Sequence, residues 1–219
     1  MTAEKFTLLA QPWWVNLLIL APLLLYLAAR PSGLQIKWRT LLATGLFAVA
    51  FGYVEAAVVV YIRASIGLLP GFQGTLADVR QLSAALYHQP IKEIQLPAAL
   101  IQIEVLREAA TIVMLIAVAF VAGRSRLERW AAFLWCFAIW DTVYYVGLRA
   151  TVGWPYSPLS PDVLFLIPVP WISQVWFPML VSGSTMAAVI VATAQGHRER
   201  KKQALPLAAS HVRQANYEG

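Results

Sequence analysis

The sequence contains few charged residues and almost no cysteine. Charged side chains make up 13% of its 219 residues and hydrophobic side chains 59%. An ordinary soluble domain has about 25% charged residues, so this composition disfavours a soluble enzyme, a disordered protein and a disulfide-rich secreted domain. The single cysteine, Cys136, lies in an apolar run and is expected to be a small buried side chain, since no intramolecular disulfide can form.

The usual ligands and motifs of cofactor enzymes are also missing. The three histidines, His88, His197 and His211, fall outside the apolar stretches, which disfavours a haem, a histidine-rich di-iron centre and a copper site in a membrane. There is no P-loop, dinucleotide fingerprint, HExxH motif or serine elbow. No lysine lies inside an apolar stretch, so a retinal Schiff base is excluded. The sequence therefore predicts no metal ligand set and no particular cofactor, although a hard cation held by carboxylates stays open.

Five stretches are apolar enough to cross a bilayer, which needs about 20 residues as an α-helix. They cover residues 13–29, 41–62, 95–121, 130–148 and 175–194. The sequence thus predicts an all-α polytopic membrane bundle of about five transmembrane helices. Residues 1–196 would form one domain, and 197–219 a flexible, basic cytoplasmic tail.

Two further segments are predicted to lie outside the spans. Residues 75–89 have apolar side chains at helical spacing, which predicts an external amphipathic helix over the bundle. Residues 151–172 are interrupted by Pro168 and Pro170, so we expect a loop with a short helix at the interface. Trp154, Tyr156 and Trp171 would be its anchors at the headgroup level.

The distribution of lysine and arginine predicts the orientation. Segments 30–39 and 123–129 carry three each and the tail from 196 carries five, whereas the N-terminus and 149–161 carry one each, and the long segment 63–93 has three. The positive-inside rule then places the N-terminus outside and the C-terminus in the cytoplasm. These basic residues indicate topology and contact with anionic lipid, and nucleic acid is not an expected partner.

The most informative residues are polar ones inside the apolar stretches. Glu104, Arg107 and Glu108 share one face of the third span, because they are three and four residues apart. The other spans contribute Glu55, Asp141, Tyr144, Tyr145 and Ser182. With about 1.5 Å of rise per residue, these positions lie about 17–25 Å from the cytoplasmic helix ends. The sequence therefore predicts that these residues lie in one layer slightly outside the midplane. We call this set of residues the polar layer.

Charged side chains at this depth are expected to face one another rather than lipid. Arg107 can pair with a glutamate of its own helix, and Asp141 or Glu55 can supply the opposite partner. Four carboxylates then face one arginine. Unless Arg63 and Arg149 reach in from the outer helix ends, protons or a bound cation must neutralise the remainder.

Several strings resemble a pattern in uncharacterised bacterial multi-pass membrane proteins. They are WDTVYY at 140–145, PYS at 155–157 and DVLFLIPVPW at 162–171, together with Glu104, Arg107 and Glu108. The resemblance covers about residues 95–182. It implies a protein of the bacterial inner membrane in which the polar layer and the proline-rich loop occur together. It implies no activity, cofactor or catalytic role.

Three functions stay open at this level, and with them whether the protein is an enzyme. In the first, a pocket binds a lipid-soluble or small substrate, and acid–base chemistry involves Glu104, Glu108 and Asp141 with Arg107. Its substrate-binding side chains would be Glu55, Tyr144, Tyr145 and Ser182. In the second, the same residues couple protons or a cation to transport. In the third, the network is structural in an accessory or assembly subunit, with membrane lipids and partner subunits or further copies as neighbours.

Overall fold

The computed structural model describes residues 9–67 and 98–215, with side chains at 9–61 and 101–203. The chain begins with a 3₁₀ helix, Trp13–Leu20, that continues directly into α1, Ala21–Ala29. Long helices follow as α2, Trp38–Gly67, α3, Ala98–Ala122, and α4, Arg126–Val152. Strands β1, Pro161–Phe165, and β2, Trp171–Gln174, precede the last helix, α5, Trp176–Ala215.

The predicted membrane helical bundle is confirmed. Helices α2, α3, α4 and α5 are each long and apolar enough to cross a membrane. Helix α4 packs against the other three and is the centre of the bundle. Cys136 of α4 is buried, as expected, and packs in one cluster with Ala48 of α2 and Leu115 of α3.

The first apolar segment is shorter than the other four. Its 17 residues would extend only about 26 Å as an α-helix, but the first eight are in the 3₁₀ form. At a rise of about 2.0 Å per 3₁₀ residue, the segment lengthens to about 30 Å. That length matches the hydrocarbon thickness of a typical bilayer, about 30 Å.

Residues 151–172 differ from the expected interfacial loop with a short helix. They end in an antiparallel hairpin in which Asp162 pairs with Ser173 and Val163 with Ile172. The prediction of a short helix in this segment was wrong. Pro161 starts the first strand, and Pro168 and Pro170 lie in the hairpin tip, where the backbone N–H that proline lacks is not needed for strand pairing. The strands themselves carry the β-branched and aromatic residues that favour extended backbone.

The hairpin enters the bundle from one end. Phe165 of β1 packs against Phe137 and Trp140, which lie in the middle of α4, with ring centroids 6.3 Å apart in both cases. By helical rise, Trp140 is about 21 Å from the start of α4 and about 18 Å from its end. Trp171 packs against Phe165 with ring centroids 5.5 Å apart and therefore lies at this depth, not at the headgroup level that we predicted for it.

The opposite end of the bundle is closed by a loop that binds α5. Gly33 has a φ of 66°, and a Cβ on Gly196 would lie 2.1 Å from the Leu34 carbonyl oxygen, so both positions require glycine. Beyond Gly196, His197 contacts the Ile36 carbonyl and Arg200 donates to Gln35. The segment predicted as a flexible tail is thus helical as far as Ala215, and its first turn is docked. The predicted helix over 75–89 lies outside the described residues.

Candidate functional site

A buried ion-pair triad connects α2 and α3. The Arg107 guanidinium donates to Glu55 of α2 through Nη1, and it donates to both carboxylate oxygens of Glu104 on its own helix, with an Nε–Oε2 distance of 3.0 Å. Glu55 is the most buried member, with a side-chain exposure of 7%. The prediction that Arg107 pairs within its helix and across to another is therefore confirmed, and Glu55 is the partner across.

Glu108 lies one residue further along α3 and binds the hairpin. Its Oε2 accepts a hydrogen bond of 2.8 Å from the backbone N–H of Leu166, the residue after β1. A backbone amide left unpaired at membrane depth would cost several kcal/mol, because no water is present there to bind it. Glu108 therefore satisfies the backbone donor at the point where the first strand of the hairpin ends.

A small cavity lies between the triad and the hairpin. Its volume is about 20 Å³, and its walls are Glu55, Arg107, Glu108, Thr111, Trp140, Leu164 and Phe165. That volume holds about one water molecule, whereas pockets for organic ligands measure about 300–1,000 Å³. The indole N–H of Trp140 has no hydrogen-bond partner within the described part of the chain.

A second acidic group lies between α4, α5 and β1. Asp141 of α4 accepts a hydrogen bond of 2.7 Å from the Ser182 hydroxyl of α5. The Tyr145 hydroxyl, one turn further along α4, donates to Asp162 of β1 at 3.0 Å. Asp141 and Asp162 are close enough for their charges to interact. Tyr144 packs edge-on against Tyr145 at 5.0 Å.

The predicted site residues therefore form two groups rather than one. Glu55, Glu104, Arg107 and Glu108 form the first group, on the α2–α3 side. Asp141 with Ser182 of α5, and Tyr145 with Tyr144 packed against it, form the second. Trp140 and Asp141 are consecutive, so α4 presents one to the cavity and the other to α5. The catalytic and substrate-binding roles of these residues stay predictions.

The structure changes the list of charged groups near the polar layer in two ways. Asp162 adds a fifth carboxyl group, with 2% of its surface exposed. Arg149 does not reach the polar layer, because its guanidinium binds the carbonyl oxygens of Gly153 and Pro155 near the end of α4. Arg63 lies where side chains are not described. Within the described residues, Arg107 forms ion pairs with Glu55 and Glu104.

Sequence reasoning missed Asp162 and the Leu166 amide as members of the site. Asp162 stands at the start of an apolar segment, where an acid is unexpected, and this was the available signal. The Leu166 amide gives no signal, since every residue except proline has one. Among the described residues, no group of three or more His, Cys, Asp or Glu side chains is arranged to hold a metal ion.

Comparison with known proteins gives no relative. No protein-family model matches the chain, and no curated protein or solved structure matches it. The resemblance to bacterial multi-pass proteins is therefore not confirmed by these comparisons. What stands is a membrane helical bundle with buried acidic residues.

Proposed function

We propose that this protein binds and releases protons inside the membrane, as a proton-coupled transporter or channel. The observation that carries the proposal is that, among the described residues, the carboxyl groups of Glu55 and Glu108 and the Arg107 guanidinium line one cavity of water size. Glu55, Glu104 and Glu108 surround one arginine, Asp141 accepts the Ser182 hydroxyl, and Asp162 accepts the Tyr145 hydroxyl. Acidic residues inside transmembrane helices are typical of proton relays.

The cavity volume favours protons over an organic substrate. About 20 Å³ admits water and the protons that water carries, but a lipid-soluble substrate would need the hairpin to leave its place on Glu108. The alternating acids and hydroxyls on the other face of α4 offer groups that can pass protons onward. We place the hairpin end on the outside of a bacterial inner membrane, from the positive-inside count and the resemblance.

A structural network in an accessory subunit is the second candidate. It is favoured by one observation: Glu55, Glu108, Asp141 and Asp162 each bind a group on another element. Such contacts hold membrane helices together without any proton chemistry. The two proposals differ in what happens when a carboxyl group becomes an amide of the same shape.

The test is proton flux into proteoliposomes that contain a pH-sensitive dye, driven by a potassium diffusion potential. We expect Glu108→Gln and Asp141→Asn to lose the flux of the wild-type protein down to the level of empty liposomes. Their unfolding temperature should stay near the wild-type value, because the amide oxygen of each can still accept the Leu166 N–H or the Ser182 hydroxyl.

Ser184→Ala is the matched control. Ser184 is close to Ser182 on α5, but its hydroxyl binds carbonyl oxygens of its own helix at Leu180 and Val181. This variant should keep both flux and stability. Wild-type liposomes without flux above background, or full flux in both amide variants, would contradict the proton proposal and leave the structural network as the better account.

A further inference from the structure

An apolar groove runs along the surface between α3 and α4, away from the polar layer. Its volume is about 220 Å³, and it is lined by Ile116, Ala119, Phe120, Arg129, Trp130 and Phe133. Phe120 and Trp130 are 60% and 62% exposed, so their rings form sides of the groove that are open to the surroundings. The groove ends at the turn between the two helices, where Arg129 is its one charged wall residue.

The turn fixes Arg129 at the mouth of the groove. A Cβ on Gly123 would lie 2.4 Å from the Arg129 backbone nitrogen, so the close approach of the two helix ends requires glycine there. The Arg129 Nε donates to the Gly123 carbonyl oxygen at 3.2 Å, and its guanidinium lies 3.8 Å from the Phe120 ring centre. Within the described part of the chain, its two terminal amino groups have no hydrogen-bond acceptor.

The charges near the turn are mostly positive and accessible. Arg124 and Arg126 are exposed beside Arg129. The nearby carboxylate, Glu128, is buried in the capping box of α4, where it accepts the backbone N–H groups of Arg124 and Ser125. Its carboxylate is therefore bound at the helix start, and the turn carries three arginines against this one acid.

We propose that this groove is a binding site for one anionic phospholipid. One acyl chain lies along the carbon walls between α3 and α4, and the phosphate binds the terminal amino groups of Arg129, with Arg124 and Arg126 nearby. An apolar channel that ends in arginines at a helix boundary matches a ligand with a long apolar tail and an anionic head. A partner helix or a second copy would need an acidic residue at the same height to meet the guanidinium, whereas an anionic phospholipid carries its charge at the end of its acyl chains.

Native mass spectrometry of the detergent-purified full-length chain tests the site. We expect phosphatidylglycerol to bind as one tight equivalent, phosphatidylcholine with the same chains to bind more weakly, and glycerol phosphate without chains not to bind. Arg129→Gln should weaken the phosphatidylglycerol equivalent about fivefold, since one arginine near a membrane surface contributes about that factor. Ala119→Phe should remove the equivalent for both lipids by filling the groove.

Arg39→Gln is the control, because it removes the same charge from an exposed arginine on α2, outside the groove. It should leave the tight equivalent unchanged. Equal loss in Arg39→Gln and Arg129→Gln would overturn the proposal, since it would mean a general effect of net charge. A wild-type dimer that Ala119→Phe dissociates, with lipid binding unaltered, would also overturn it and identify the groove as a subunit interface.

Discussion

Arg107 binds two carboxylates from neighbouring helices. Its planar guanidinium donates through Nε and Nη2 to Glu104 and through Nη1 to Glu55, which uses the fork geometry that lysine lacks. The side chain is only 19% exposed, so solvent screens these contacts little. The link between α2 and α3 therefore depends on this residue.

Replacing Arg107 by glutamine should destabilise the bundle. Two buried carboxylates would lose their shared cation, and removing one partner of a buried ion pair costs about 3–5 kcal/mol. Thermal unfolding in detergent, followed by tryptophan fluorescence, measures the loss as a lower unfolding temperature.

Two further variants separate charge from shape at the same position. Arg107→Lys should recover only part of the stability, since one ammonium cannot bind both carboxylates in a fork. Glu55→Gln combined with Arg107→Gln should be more stable than Arg107→Gln alone, because one uncompensated acid is removed. If Arg107→Gln unfolds at the wild-type temperature, the triad does not hold α2 to α3.

The grouping of Glu104, Arg107 and Glu108 could be predicted from the sequence, but the partners of Glu108 and Asp162 could not. Spacings of three and four residues place Glu104, Arg107 and Glu108 on one helical face whatever the tertiary structure is. The partner of Glu108 is a backbone amide, and Asp162 reaches Tyr145 only because the chain turns back as a hairpin. Contacts of this kind depend on the path of the chain and leave no periodic pattern.

At the scale of elements, the hairpin is the main departure from the expected all-helical bundle. Extended backbone is tolerated at membrane depth only where protein or a cavity covers it. Here Phe165 is buried against α4, Glu108 binds the Leu166 amide, and Gln11 exchanges two backbone hydrogen bonds of 2.8 Å with Ile172. The short run of apolar residues around two prolines was ambiguous, because periodicity does not separate a buried strand from a short helix.

The contact between the 30–37 loop and α5 gives a prediction at this scale. Gly196→Ala would place a Cβ 2.1 Å from the Leu34 carbonyl oxygen, so backbone must move. We expect a loss of about 1–3 kcal/mol, typical of overpacking. The unfolding temperature in detergent measures it.

Gly183→Ala is the matched control on the same helix. A Cβ there meets no atom within 4 Å, and alanine is the better helix former by about 1 kcal/mol. This variant should be as stable as the wild type or more stable. Equal destabilisation by both variants would show that the cause is not the approach of Leu34.

At the scale of the whole molecule, the two ends of the bundle differ in charge. The end with the Gly33 loop and the Gly123 turn carries Arg30, Lys37 and Arg39 in one connection and three arginines in the other. The connections on the hairpin side carry three basic residues in the long segment 63–93 and one in 149–161, Arg149, whose guanidinium is bound to carbonyl oxygens of the loop after α4. The orientation of the bundle in the membrane therefore decides whether the hairpin end faces the cytoplasm or the outside.

We predict that the hairpin end is outside and that the Gly33 end and the C-terminus are cytoplasmic. Cysteine labelling can test this because the natural chain has one cysteine, Cys136, which is buried and should not react. Leu159→Cys, 50% exposed beside the hairpin, should react with a membrane-impermeant maleimide on intact cells.

The partner variant is Ser32→Cys, at an exposed position of the Gly33 loop. It should react only after the cells are opened, because the positive-inside rule keeps this basic connection in the cytoplasm. Labelling in the reverse order would invert the proposed topology. The hairpin, and with it the end of the bundle from which it reaches Glu108, would then face the cytoplasm.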